Sequence, residues 1–106
     1  MSEAAARVVF LDGAHEVRLI GEFDLDVYEQ VCDELTPLFE TAGDVTLDLS
    51  QVEFLDSSAI RLFVRLQRSR NGDGTVALRA PRPHVARVLS VAGVEDLGIR
   101  VVEADA

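Results

Sequence analysis

Asp56-Ser57-Ser58 is the one place where this sequence gathers polar groups capable of chemistry directly after an apolar pair, Phe54-Leu55. All three are good N-cap residues, because their short side chains accept hydrogen bonds from the free amides of a helix's first turn. A hydroxyl at that position also has a second use. The exposed amides and the positive end of the helix dipole accept a phosphate, which adds about −1.5 to −2 charge without breaking the helix. Other reactive groups are sparse. His15 falls in a turn and His84 opens a helix, both with surface roles, and Cys32 lies on an apolar helical face as a core thiol. No Gly-x-Ser-x-Gly elbow, His-x-x-x-His pair, Walker A loop or Gly-x-Gly-x-x-Gly run occurs, and Gly72-Asp73-Gly74 precedes a strand, not a helix. With no nucleophile–base pair and no metal-ligand spacing, the chain reads as a binding module and not an enzyme.

Periodicity defines the framework around Ser57. Val8–Leu11 and Val17–Ile20 flank Asp12-Gly13, the pattern of a β-hairpin. From Leu25 the spacing becomes helical, with Tyr28, Cys32, Leu35 and Phe39 on one face, and Pro37 should split that helix near Leu35. Val45–Leu49 is a strand, 51–55 a connector, and a helix starts at Asp56 and runs to about Arg70. A strand over Thr75–Arg79, a helix over His84–Ala92 with Pro83 in its first turn and Gly93 at its end, and an edge strand over Ile99–Val102 complete the order. Helical crossovers demand parallel pairing and the hairpin antiparallel pairing, so the expected fold is α/β with a mixed sheet.

The 106 residues suit one domain, 1–106 with its core over about 8–102, and the 48% apolar content is enough for a core. A lone cysteine excludes an internal disulfide, and no apolar stretch reads as a signal peptide or a membrane span, so a reducing cytoplasm is expected. The net charge of −9 argues against nucleic acid and anionic membranes as partners. That charge is uneven: residues 1–56 hold fourteen Asp/Glu against two Arg, whereas 57–106 hold five against eight. On the helix after Ser57, Arg61, Arg65 and Arg68 form one stripe. The broad apolar remainder, from Ala59 to Leu66, suits a helix wedged between the sheet and a neighbouring helix, or one that leaves a part near Ile60 open to a partner.

The block from Val45 to Ala59, Val-Thr-Leu-Asp-Leu-Ser-Gln-Val-Glu-Phe-Leu-Asp-Ser-Ser-Ala, resembles the signature of the STAS domain, and within it the anti-sigma factor antagonist branch. Gly21-Glu22-Phe23-Asp24 resembles that branch's upstream element, and Arg87-Val88-Leu89 with Gly93-Val94 its closing helix and exit. The resemblance implies a STAS-type mixed sheet of four to five strands packed with three to four helices. It also implies a bacterial transcription regulator that binds a histidine-kinase-like anti-sigma factor and so frees a sigma factor. That partner doubles as a serine kinase, whose phosphoacceptor here is Ser57, and a serine phosphatase restores binding; no cofactor is implied. Asp24, Asp56, Ser58, Ala59, Ile60 and Arg61 would lie near the phosphosite or the partner. Three departures concern partner choice: Ala59 stands in place of glycine, Arg61 in place of a small residue, and Asp26-Val27-Tyr28 come after Asp24. The other reading is a constitutive STAS scaffold, or an accessory subunit of a lipid-transport ABC complex or signalling assembly, in which Asp-Ser-Ser is only a cap.

Overall fold

The computed structural model describes residues 6–104; the first residues of the stretch read for a targeting signal lie outside that range. Five strands form one sheet in the order of the chain: β1 (Arg7–Asp12), β2 (Glu16–Phe23), β3 (Val45–Leu55), β4 (Val76–Arg79) and β5 (Arg100–Val102). The hairpin β1–β2 is antiparallel and every later pair is parallel. Four helices supply the crossovers: α1 (Tyr28–Glu34), α2 (Thr36–Phe39), α3 (Ser57–Ser69) and α4 (Pro83–Ala92). The mixed α/β architecture is the one the sequence leads one to expect, and the break between α1 and α2 falls at Leu35, just ahead of Pro37.

Period-two alternation sorts the sheet. Val17 and Leu19 of β2, Val45, Leu47 and Leu49 of β3, and Val76 and Leu78 of β4 point into one buried cluster with Val31, Leu35, Leu62, Leu66, Val85 and Leu89 from the helices. On the opposite face, Arg18, Asp48 and Arg79 are register partners across three strands. Arg18 donates to Asp48 at 3.1 Å, and Arg79 reaches both Asp48 at 3.4 Å and Glu16 at 2.6 Å. Burial pushes the Asp48 carboxyl up, but hydrogen bonds from Ser50 and the charge of Arg18 outweigh it and hold the group below the ordinary carboxylate range.

One sequence expectation is corrected. Residues 51–55 are not a connector but the second half of β3, which continues to Leu55 beside β2. The strand was hidden by two irregularities. Between Arg18 and Ile20 of β2, β3 advances from Asp48 to Gln51, and between Gly21 and Glu22 it advances from Val52 to Phe54. Each inserts one extra residue and so breaks the alternation that marks a strand. At the first bulge the Ser50 amide donates to Asp48 Oδ1 at 2.9 Å.

Two tight features fix the ends of the helices that carry the site. Arg70, 2% exposed, comes directly after α3 and donates to the carbonyls of Leu38, Thr41 and Gly43, satisfying acceptors at the end of α2. Gly74 sits at φ +130° with the Gly43 backbone so close that a Cβ would lie 2.2 Å from its carbonyl oxygen; only glycine fits between the α3 exit and β4.

Candidate functional site

Parallel strands β2 and β3 finish level with each other, with Phe23 and Leu55 as register partners. Each is succeeded by an aspartate. Asp24 and Asp56 share nearly the same extended backbone (φ −120°, ψ −175° and φ −122°, ψ −167°), and each carboxylate accepts the N–H two residues on. Asp24 accepts from Asp26 at 3.0 Å and opens a 3-10 turn over Leu25–Val27; Asp56 accepts from Ser58 at 2.8 Å and opens α3. The Asp56 amide donates back to Phe23 O at 3.2 Å, locking the two starts together. The site thus lies beyond the carboxyl ends of parallel strands, where open α/β sheets present their binding groups.

Within Asp56-Ser57-Ser58 the labour is divided. The Ser58 hydroxyl donates to Asp56 Oδ1 at 2.5 Å, and Ser58 is buried. Burial raises the Asp56 carboxyl, yet hydrogen bonds from the Ser58 hydroxyl and from the amides of Ser58, Ala59 and Leu25 hold it below the ordinary range. Asp56 is therefore an ionised acceptor at neutral pH, not a base awaiting a proton. Ser57, at the first helical position, is exposed and takes no part in that cap.

The residues expected around Ser57 divide between two sides of α3. Asp24, Ser58 and Ala59 line a small crevice with Tyr28. Ser57 and Ile60 face away from it, into an open groove of about 370 Å³ completed by Arg87, Val88, Val91 and Ala92 of α4. Val91 is 84% exposed there, and Val88 and Ile60 are partly exposed beside it. Arg61 is exposed and stands over the Tyr28 ring, 5.9 Å from its centroid. The α4 contribution escaped a reading focused on the Asp-Ser-Ser motif. Its signal was present, since α4 carries Val88 and Val91 outside the face defined by Val85 and Leu89.

The remaining reactive groups stand elsewhere. The His15 ring bonds the Asp44 carbonyl at 3.3 Å and His84 the Glu53 carbonyl at 2.7 Å, both from exposed positions. Cys32 is half-buried, not sealed in the core, with Arg65 Nη1 4.0 Å from its sulfur. Among the described residues no group of three or more His, Cys, Asp or Glu is placed to hold a metal ion, and no helix is long and apolar enough to cross a membrane. The arrangement offers an acceptor hydroxyl at a helix start and an apolar groove beside it.

Comparison with known proteins agrees with this geometry. An anti-sigma-B factor antagonist of Staphylococcus epidermidis is 27% identical over 88 residues, covering 81% of this chain and 82% of that protein. The structure of the anti-sigma factor antagonist SpoIIAA in its unphosphorylated form superposes with a TM-score of 0.73 at 22% identity, covering 95% of this chain and 89% of that one. The Bacillus cell fate determinant SpoIIAA in its phosphorylated form gives 0.66 at 21% identity, with 95% and 92% covered. Residues 6–103 match the family model described as "Mlab, STAS domain", and the chain belongs to the STAS domain family.

Proposed function

We infer that this chain is one STAS domain acting as an anti-sigma factor antagonist in the cytoplasm. It binds a kinase-like anti-sigma factor of the histidine-kinase ATPase type, which releases a sigma factor, and phosphorylation of Ser57 by that partner switches binding off. A serine phosphatase resets it. The observation that carries the reading is the exposed Ser57 hydroxyl at the first position of α3, excluded from a cap that Asp56 and Ser58 complete between them. A kinase can reach such a hydroxyl without unfolding the helix, and a phosphate placed there meets the positive end of the dipole. That the likeness extends to both phosphorylated and unphosphorylated SpoIIAA supports a switch without refolding.

The groove beside Ser57 explains how such a modification acts. Ile60, Val88 and Val91 form an apolar docking face, and a partner covering it must desolvate whatever Ser57 carries. Two unit charges 4 Å apart near a surface interact by roughly 4 kcal/mol before screening. A hundredfold loss of affinity needs only about 2.7 kcal/mol. Incubation with a kinase-like anti-sigma factor of the histidine-kinase ATPase type and ATP is expected to add one phosphate by mass, absent in Ser57→Ala. Ser57→Asp should weaken binding about a hundredfold while Ser57→Ala binds normally. A phosphate that persists on Ser57→Ala overturns the site.

A second reading draws on the family model, whose description carries the name Mlab and not that of the antagonist branch. In it the domain is a constitutive scaffold or an accessory subunit of a transporter complex. Co-purification with a transporter ATPase, together with indifference to Ser57→Asp, would select that reading.

A further inference from the structure

Ser57, Arg61, Arg65 and Arg68 step along α3 by four, four and three residues, which places all four within an arc of about 80°. The three arginines are exposed. They differ from the other cations of the fold. Among the described residues the ion pairs are Arg18–Asp48, Arg79–Glu16 and Arg79–Asp48, so no carboxylate stands within 4.0 Å of Arg61, Arg65 or Arg68. Yet two of the three are not free to wander. Arg65 donates to the Tyr28 hydroxyl at 2.8 Å and lies 5.7 Å from the centroid of Phe39, while Arg61 covers the Tyr28 ring. Aromatic rings thus hold two guanidinium groups in place while leaving their charge uncompensated, in a chain of net charge −9.

An unpaired, pre-oriented arginine row costs a binding partner little ordering entropy and suits carboxylates, which guanidinium forks bind in two-point fashion. Arg61 to Arg68 spans about 10 Å, two turns of a helix. That matches two or three acidic side chains on one short segment and is far short of the track an extended polyanion requires. The geometry points to α3 as a docking row for a short acidic segment of a protein partner, aligned by Arg61, Arg65 and Arg68 and continuous with Ser57. This rests on the proposed function only for the identity of that partner and for the effect of a phosphate at Ser57, which would lie one turn from Arg61 and compete for it.

A fluorescein-labelled 16-residue peptide of alanine and glutamate, with glutamates at i, i+4 and i+7, is the probe, read by fluorescence anisotropy at low ionic strength. The wild-type chain should bind it, and the glutamine version of the peptide should not bind. R61Q/R65Q/R68Q should bind about tenfold more weakly or worse, as three exposed ion pairs of ordinary strength give. R7Q/R82Q/R100Q, which changes net charge equally at arginines away from the row, should stay within about twofold. Equal loss in both triple variants, or no wild-type binding, overturns the proposal. So does preferential binding to phosphatidylserine vesicles, or a wild-type self-association that the α3 triple variant abolishes. Phosphoserine installed at position 57 separates the two levels. Peptide binding indifferent to that phosphate removes its competition for Arg61 and leaves the docking row standing; undiminished peptide binding by the α3 triple variant removes the row and leaves Ser57 to its own phosphorylation assay.

Discussion

Asp24-Leu25-Asp26 and Asp56-Ser57-Ser58 have the same job at the ends of neighbouring parallel strands, with nearly superposable backbone angles and the same side-chain cap. They differ in the residue each presents at the first helical position. Leu25 is 66% exposed and chemically inert; Ser57 is exposed and carries a hydroxyl. The helices they open are also unequal. The first is three residues of 3-10 helix before α1, whereas the second launches thirteen residues of α3. Two roles that the Asp-Ser-Ser motif runs together are therefore separable. The aspartate belongs to the fold, and the residue after it belongs to the surface.

Removing the carboxylates one at a time tests that division. Asp56 accepts from Ser58 twice, from its amide at 2.8 Å and from its buried hydroxyl, whereas Asp24 accepts from one amide. Asp56→Ala is expected to cost about 2 kcal/mol, the upper end for a helix cap, seen as a lower urea midpoint with an unchanged slope. Asp24→Ala removes one acceptor from an exposed short turn and should cost about 0.5 kcal/mol. Equal losses would mean that the two caps are equivalent and that the second bond, from the Ser58 hydroxyl, adds nothing. Ser57→Ala should leave stability within about 0.5 kcal/mol of wild type, since the cap does not use it.

Much of this was legible in the residues. Asp12-Gly13 between apolar runs marked the hairpin, Pro37 placed the helix break, and Asp56-Ser57-Ser58 marked the start of α3 because capping is local chemistry readable from three residues. The far half of β3 was not legible. Two extra residues put Leu49, Val52 and Leu55 into the core at steps of three, a spacing that belongs to no strand, and only the pairing with β2 reveals it. The groove beside Ser57 was half legible. Its α3 side, at Ile60, is one of two readings that the width of the apolar stripe allows, but α4 meets it only through the crossover that brings residues 87–92 back beside residue 57. The matching backbones of Asp24 and Asp56 were beyond reach, since the registration of two strand ends is a property of the sheet.

The smallest expected effect discriminates most finely. Asparagine caps a helix about as well as aspartate, so Asp56→Asn keeps the acceptor for Ser58 and should change stability at pH 7 by only about 0.5 kcal/mol. Its consequence lies in acid. The folded Asp56 carboxyl is held below its unfolded value of about 3.9, so its ionised form stabilises the protein fully above about pH 5 and that contribution is lost as pH falls through the folded value. The variant has no proton to take up at this position. Urea midpoints measured from pH 7 to pH 2.5 should therefore show wild type falling towards the Asp56→Asn curve, the gap narrowing as the Asp56 carboxyl takes up its proton. Asp48, held low by Ser50 and Arg18 across the sheet, titrates in both proteins and keeps an acid limb in each. Parallel curves would show that charge at Asp56 is immaterial, leaving the two aspartates that end β2 and β3 alike in chemistry as well as in shape.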